Sequence, residues 1–109
     1  MSASVKGSTI SLTRGDSLRV NLRLMKDGEE YIPVTGDVIR FALKKKVTDA
    51  EPLIVKEIPI DTMVLAIEPE DTKPLAFGIY RYDMEITTAN GYVDTFIGPA
   101  DFNVKEEVH

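Results

Sequence analysis

Carboxylates are the side chains in this chain that could carry acid–base chemistry, because it has one histidine and no cysteine. The histidine is His109, the last residue of the sequence, and a terminal side chain is seldom held in the fixed position that a general base needs. The lack of cysteine excludes thiolate nucleophiles, disulfides and cysteine-ligated metal centres. We therefore expect no catalytic triad and no zinc site built on two histidines.

The carboxylates themselves give only a weak signal for catalysis. Glu68, Glu70 and Asp71 lie close together in sequence, and Asp94 and Asp101 fall on later turns. With 18 acidic residues in the chain, chance clusters are expected, and closeness in sequence is all that suggests a catalytic pair here. The alternative interpretation is acidic residues at the start of a short helix, where they suit the dipole.

Three further motifs have ordinary structural explanations. The segment Asp27–Glu30 offers oxygen donors in a tight loop, but it lacks the alternating spacing of a calcium loop. Arg14-Gly15-Asp16 resembles an integrin-binding tripeptide, although Gly-Asp is also good turn chemistry. The run Lys44–Lys46 suits a solvated strand end that discourages sheet-to-sheet pairing. We predict no catalytic residue, no metal and no cofactor.

The four tyrosines divide into two pairs. Tyr80 and Tyr82 share the inward parity of one strand, which predicts that they pack in the core. Tyr80 also suits a tyrosine corner, in which the ring is internal and its hydroxyl donates to an upstream backbone carbonyl. Tyr82 stands where antibody domains place a cysteine, so an apolar contact would replace the disulfide there. Tyr31 and Tyr92 remain as the plausible exposed rings for contact with a sugar or a protein partner.

Two stretches of strict alternation predict the fold class. Apolar residues recur at every second position in Ser17–Met25, and again from Gly78 through Ile86. A period of two is typical of strands with one buried and one wet face. The dipeptides Asp27-Gly28 and Asn90-Gly91 predict hairpins after these two strands.

Shorter alternating or apolar segments complete the pattern. We predict further strands around Ile10 and Leu12 and over Glu30–Val34, Val38–Lys45, Leu53–Ile58, Met63–Glu68, Tyr92–Ile97 and Phe102–Val108, with turns at Thr35–Asp37 and Gly98-Pro99 and a single helical turn at Pro69–Thr72. The predicted core is Leu18, Val20, Leu22, Leu24, Ile39, Phe41, Leu43, Leu65, Ile67, Tyr80, Tyr82, Met84, Ile86, Phe96 and Phe102. This number and spacing of strands favours a β-sandwich or a small barrel, and we predict an antiparallel sandwich.

Length and charge limit the remaining possibilities. The chain has 109 residues and a net charge of −5, which suits one domain and disfavours binding to nucleic acid or to an anionic membrane. Residues 1–8 have the composition of a flexible polar leader, and residues 9–109 form the predicted domain. The N-terminus lacks the apolar region of a signal peptide, so we expect synthesis in the cytoplasm.

Five segments are informative when they are taken in order: Ile10–Ser17, Ile32–Phe41, Leu65–Thr72, Gly78–Asp83 and Gly98–Val104. Together they resemble small bacteriophage and prophage structural proteins. They are similar to the N-terminal module of phage baseplate upper proteins and to related immunoglobulin-like phage domains. One departure is Val34, where those proteins usually have leucine.

The resemblance implies an immunoglobulin-like sandwich and a non-enzymatic structural or assembly role in a phage or prophage particle, associated with its tail or baseplate. The implied partners are other proteins of the particle, with self-association as a further expectation, and the chain would later reside in the virion. No small-molecule substrate is implied. The alternative hypothesis is an adhesive or carbohydrate-binding β module that uses Tyr31 and Tyr92. A third hypothesis, a glycosidase with a carboxylate pair, suits so small a sandwich poorly, because it rarely encloses a cleft.

Overall fold

The alternating segments form two layers of β-structure in the computed structural model, which describes residues 4–6, 8–26 and 28–106. The strands, in chain order, are β1 (Ser4–Lys6), β2 (Thr9–Thr13), β3 (Leu18–Asn21), β4 (Leu24–Lys26), β5 (Glu29–Tyr31), β6 (Val38–Lys44), β7 (Ile54–Ile58), β8 (Val64–Ile67), β9 (Gly78–Thr87) and β10 (Val93–Lys105). A single helical turn, α1 (Pro69–Thr72), lies between β8 and β9. The all-β prediction and the helical turn are confirmed.

The larger sheet has six strands in the order β1-β2-β10-β9-β6-β7. Strands β3 and β8 pair separately, and so do β4 and β5. The grouping of β6, β9 and β10 in one sheet, with β3 and β8 in another, is that of strands C, F, G and B, E in an immunoglobulin domain. The sheets are not purely antiparallel, however, because β2 runs parallel to β10.

The core lies between the layers and is continuous. It joins Leu18 of β3 and Leu65 and Ile67 of β8 to the inward side chains of the large sheet. Strand β9 shows why the sequence pattern succeeds, since Tyr80, Tyr82, Met84 and Ile86 are all buried, whereas Ile79 is exposed. The other buried apolar residues are Ile10, Leu12, Leu24, Ile39, Phe41, Leu43, Ile58, Phe102 and Val104.

Three members of the predicted core are only half-buried. Val20, Leu22 and Phe96 pack against the core from its margin. Val20 and Leu22 line a cleft that stays open beside β3, because β3 pairs with β8 alone and so forms part of a narrow layer. Phe96 lines a second cleft, near the N-terminal end of β10.

Two predicted strands have different boundaries. The single strand over Ser17–Met25 is divided, because the chain changes partner from β8 to β5 at Leu22 and Arg23. The Leu22 N–H nevertheless donates to the Met63 carbonyl, at 2.8 Å. The predicted return strand Glu30–Val34 is the shorter β5, which ends before Pro33.

Strand β10 replaces two predicted strands and the turn between them. Gly98 and Pro99 do not end a strand but lie inside β10, where the register with β9 shifts on either side of Ile97. Gly98 has φ +117°, and a Cβ there would lie 2.5 Å from the Asp83 Cβ. Only glycine allows β10 to pass β9 this closely, so the irregularity is a bulge of the kind found in long twisted strands.

Part of the predicted leader belongs to the sheet. Residues 4–6 form β1, which pairs antiparallel with β2. This differs from an expectation based on composition alone, because strand pairing needs backbone groups rather than apolar side chains. Residues 1–3 and 7 of that leader lie outside the described residues.

The core makes a direct prediction about stability. Leu65 is fully buried, so we expect Leu65→Ala to lower the free energy of unfolding by about 2–5 kcal/mol through loss of apolar contact and formation of a cavity. Val55 lies in the edge strand β7 and is exposed, so Val55→Ala serves as the control, with an expected loss below about 1 kcal/mol. Urea denaturation measures both values, and equal losses would contradict the two-layer core.

Candidate functional site

Two chain segments meet at one end of the sandwich. The first is the β4–β5 hairpin with the segment that leads from it to β6, and the second is the β9–β10 hairpin. Gly36, with φ +99°, lies so close to the second hairpin that a Cβ there would be 2.7 Å from the Ala89 Cβ. We call this region, residues 22–26, 28–37 and 88–93, the loop end.

A buried carboxylate joins the parts of the loop end. Asp37 is 6% exposed, and its Oδ2 accepts hydrogen bonds from the Tyr31 hydroxyl at 2.7 Å and from the Val34 N–H at 3.0 Å. These bonds, with one from the Ala89 backbone, hold the pKa of Asp37 below its ordinary value, and the Tyr31 bond has the largest effect. The same bond to the carboxylate raises the pKa of Tyr31.

A small cleft opens between the two hairpins. Its apolar wall consists of Leu24 and Met25 of β4, Ile86 of β9 and Phe96 of β10. Its remaining lining is polar or aromatic: Tyr31, Thr88, Tyr92 and Asp94. We call it the loop-end cleft. Of the two tyrosines predicted to be exposed, Tyr92 is exposed and Tyr31 is half-buried, and both line this cleft.

Exposed apolar side chains occur in the lining of this cleft and in the chain segments next to it. Tyr92 is 61% exposed and Met25 57%, and Val34 lines an adjacent hollow with Tyr31 and Tyr92. Ile32 and Val93, which neighbour residues of the cleft in the chain, are exposed as well. We call these five residues, Met25, Ile32, Val34, Tyr92 and Val93, the loop-end patch. A grouped set of exposed apolar side chains is typical of a surface that contacts a partner.

The other two tyrosines have the structural roles that the sequence predicts. The Tyr80 hydroxyl donates to the Ala76 carbonyl at 2.7 Å, which confirms the tyrosine corner. Tyr82 packs against Phe41 and Phe102 with ring centroids 5.4 and 6.3 Å away. Its hydroxyl donates to the Ser8 carbonyl, and burial raises its pKa.

The tripeptide Arg14-Gly15-Asp16 is a turn held against the rest of the domain. The Gly15 N–H donates to the buried hydroxyl of Thr72 at 2.8 Å. The Arg14 guanidinium lies 4.4 Å from the centre of the Phe77 ring. These contacts agree with the interpretation of the tripeptide as a turn rather than a presented ligand.

The lysine run also makes local contacts. Lys44 ends β6. The Lys45 ammonium lies 4.6 Å from the centre of the Tyr80 ring and 3.3 Å from the Ile79 carbonyl, to which it donates. The Lys46 N–H donates to Asp49 at 3.0 Å.

The acidic cluster stabilises the connection between β8 and β9. Glu68 pairs with Arg19 at 2.6 Å, and Asp71 pairs with Lys56 at 2.8 Å. Asp71 also accepts a hydrogen bond from the Glu68 N–H at 2.7 Å, where α1 begins. Glu70 is exposed on the same turn. The observed contacts are those of helix capping and of ion pairs that tie the start of α1 to β3 and β7.

The other candidates are dispersed. Asp101 pairs with Arg81 at 2.5 Å on the outer face of the large sheet. Glu29 and Glu30 are exposed on β5, whereas Asp27 and His109 lie outside the described residues. Within the described part of the chain, no three histidine, aspartate or glutamate side chains gather in a way that could hold a metal ion.

Comparison with protein-family models, with curated proteins and with solved structures finds no match for this chain. No helix within residues 4–6, 8–26 and 28–106 has the length and apolar character to cross a membrane.

Sequence reasoning missed the part that Asp37 plays at the loop end. The turn Thr35–Asp37 is recognisable from its residue types, but the bond from Tyr31 to Asp37 depends on where the β4–β5 hairpin folds back. The apolar residues on either side of Pro33 are a usable signal. A proline beside exposed apolar positions, outside any regular strand, indicates a rigid segment whose side chains are available for contact.

The Asp37 bonds predict a dependence of stability on pH. The pKa of Asp37 is lower in the folded protein than in the unfolded chain, where it is about 3.9. The Asp37 carboxylate therefore stabilises the fold fully when the pH is above that unfolded-state pKa. This contribution to stability is lost as the pH falls through the folded-state pKa. Asp37→Asn should therefore reduce stability at pH 7, and its difference from the wild type should shrink below about pH 4. Urea denaturation from pH 7 to pH 2.5 tests this. The exposed Asp61→Asn is the control, and a difference that does not change with pH would contradict the assignment.

The capping contacts predict a second loss of stability. Asp71→Ala removes both the acceptor for the Glu68 N–H and the partner of Lys56, and we expect a loss of about 0.5–2 kcal/mol in the free energy of unfolding. Asp71→Asn keeps an acceptor oxygen and should lose less. Glu70→Gln, on the same turn but exposed, is the matched control. An Asp71→Ala protein as stable as the control would show that the cap contributes nothing.

Proposed function

We propose that this chain is a non-enzymatic binding module that acts through protein–protein contacts made by its loop end. The observation that supports the proposal is the loop-end patch, whose exposed apolar side chains belong to the segments that form a cleft with two tyrosines. Aromatic residues and methionine are enriched at protein interfaces because they bury a large area at a modest cost in conformational entropy. A monomer in water gains nothing from leaving such a group uncovered.

Other exposed apolar residues suit an interface less well. Phe77 is exposed, but its ring carries the Arg14 guanidinium. Val47 lines a cleft with Lys44, Arg81 and Asp83, whose charges would have to be desolvated by an apolar partner. The lining of the loop-end cleft has a single charged residue, Asp94, so the loop end is the surface on which the proposal depends.

The setting that we propose is structural or assembly work in a phage or prophage particle. This part of the proposal depends on the resemblance of the five ordered segments and on the immunoglobulin-like strand grouping. Particles are symmetric assemblies in which small domains present one surface repeatedly. Tail, baseplate or head genes beside the gene for this chain would support the setting, and unrelated neighbours would count against it.

A carbohydrate-binding role is the second candidate, because Tyr31 and Tyr92 line one cleft together with polar groups. The hollow beside that cleft adds Asp37 and Asn90 to its lining, and these side chains could accept or donate hydrogen bonds to sugar hydroxyls. A glycan array distinguishes the candidates. Saturable binding that Tyr92→Ala abolishes would favour the adhesive role, and an array without binding would favour the protein-binding role.

Site-specific photo-crosslinking tests the protein-binding proposal in the cells that naturally make this chain. A benzophenone-bearing phenylalanine replaces Tyr92 in one variant and Leu53, an apolar residue of similar exposure outside the loop end, in the other. We expect discrete protein adducts from position 92, and we expect none of these adducts from position 53.

Mass spectrometry then identifies the adducts. An adduct with a second copy of this chain would identify self-association, and an adduct with another protein would identify a scaffold partner. Adducts that are absent at position 92, or the same at both positions, would overturn the proposal.

A further inference from the structure

We infer that the loop-end cleft accepts a basic side chain, arginine or lysine, of the partner protein. This inference rests on the proposed function and states the chemistry of the partner. It depends on the size of the cleft, the nature of its walls, and one carboxylate that has no partner within residues 4–6, 8–26 and 28–106.

The size of the cleft suits a single side chain. Its volume is about 110 Å³, whereas pockets for small molecules usually have about 300–1,000 Å³. A side chain inserted from a partner surface needs less room, since the partner's backbone stays outside. The cleft is therefore better matched to one anchoring residue than to a free metabolite.

The walls favour a long side chain with an apolar stem. Leu24, Ile86 and Phe96 line the cleft with hydrocarbon, against which the methylene groups of arginine or lysine can pack. Tyr31 and Tyr92 contribute aromatic rings to the same lining. A cation attracts the face of such a ring, which adds to the contact that the stem makes.

The charge of the cleft comes from Asp94. Asp94 is exposed and lies opposite Ile86 in the β9–β10 register. Its side chain lines the cleft beside apolar side chains. The side chain of Asp94 makes no hydrogen bond or ion pair with the described residues. Asp37, by contrast, already accepts bonds from Tyr31 and Val34. A carboxylate at the margin of an apolar cleft, without a partner of its own, favours a cation beside it.

Charge also selects between the available occupants. The chain carries a net charge of −5, so two copies repel each other at long range, whereas a basic partner is attracted. An acidic side chain in the cleft would meet Asp94 directly. A neutral apolar side chain could fill the cleft but would leave that carboxylate partly desolvated and unpaired. A basic side chain satisfies both the apolar wall and the charge.

The test is a titration of ¹⁵N-labelled protein, followed by NMR, with blocked single amino acids: N-acetyl-arginine methylamide, its lysine counterpart, and the neutral citrulline counterpart. We expect saturable shifts at Tyr31, Tyr92 and Asp94 with arginine or lysine, and weaker binding of citrulline. Asp94→Asn should weaken binding of the cation by about threefold to tenfold. Tyr92→Leu, which keeps the apolar contact, should weaken it by about twofold to fivefold.

Asp61→Asn, which changes the net charge by the same amount away from the cleft, is the matched control and should bind as the wild type does. Spectra of Asp94→Asn that overlay those of the wild type away from the loop end show that the variant is folded. Equal binding of arginine and citrulline, or wild-type affinity in Asp94→Asn, would overturn the inference.

The crosslinking result separates this inference from the proposed function. If position 92 gives protein adducts but the NMR titration shows no preference for arginine or lysine over citrulline, the protein-binding role remains supported and the basic anchor is wrong. Shifts at the loop end that grow with protein concentration alone would identify a second copy as the occupant, and would also overturn it.

Discussion

Packing among Phe41, Tyr82 and Phe102 holds the three central strands of the large sheet together. Each ring comes from a different strand, β6, β9 or β10, and the centroids lie 5.4–6.3 Å apart, within the range of favourable aromatic contact. All three rings are buried, and the Tyr82 hydroxyl reaches the Ser8 carbonyl just before β2. In antibody domains a tryptophan and a disulfide occupy the middle of the sandwich. Here aromatic contact occupies it, which suits a chain without cysteine.

The loop end depends on this arrangement of strands. Because β6 and β9 are neighbours in the large sheet, the turn that precedes β6 and the hairpin that follows β9 must emerge at the same end. Gly36 and Ala89 then come into close contact, and the Asp37 carboxylate fixes Tyr31 and Val34 relative to the sheet. The surface is therefore pre-organised by short contacts to the scaffold. A binding surface held in this way loses less conformational entropy when a partner binds.

The acidic residues divide by what the fold does with them. Asp37 and Asp71 accept backbone hydrogen bonds, and Glu68 and Asp101 pair with arginines. These carboxylates are committed to the architecture, which is why proximity in sequence is a poor guide to catalysis here. Asp94 differs from them because its position in β10 places it beside an apolar cleft in which no described residue supplies a cation. The proposed role in binding follows from that difference in surroundings rather than from any difference in residue type.

The sequence by itself determined the elements whose signals are local. Strict alternation identified the buried parity of β6 and β9, and glycine in the turns identified both hairpins, because these depend on the residues within each segment. Other features depend on the choice of distant partners. The division of the strand after Asn21, the continuous β10 with its bulge, and the parallel pairing of β2 with β10 all follow from which strands lie side by side. The meeting of Tyr31 and Tyr92 is of the same kind. They are 61 positions apart in the sequence, and only the packing of two hairpins at one end of the sandwich brings both to a single cleft.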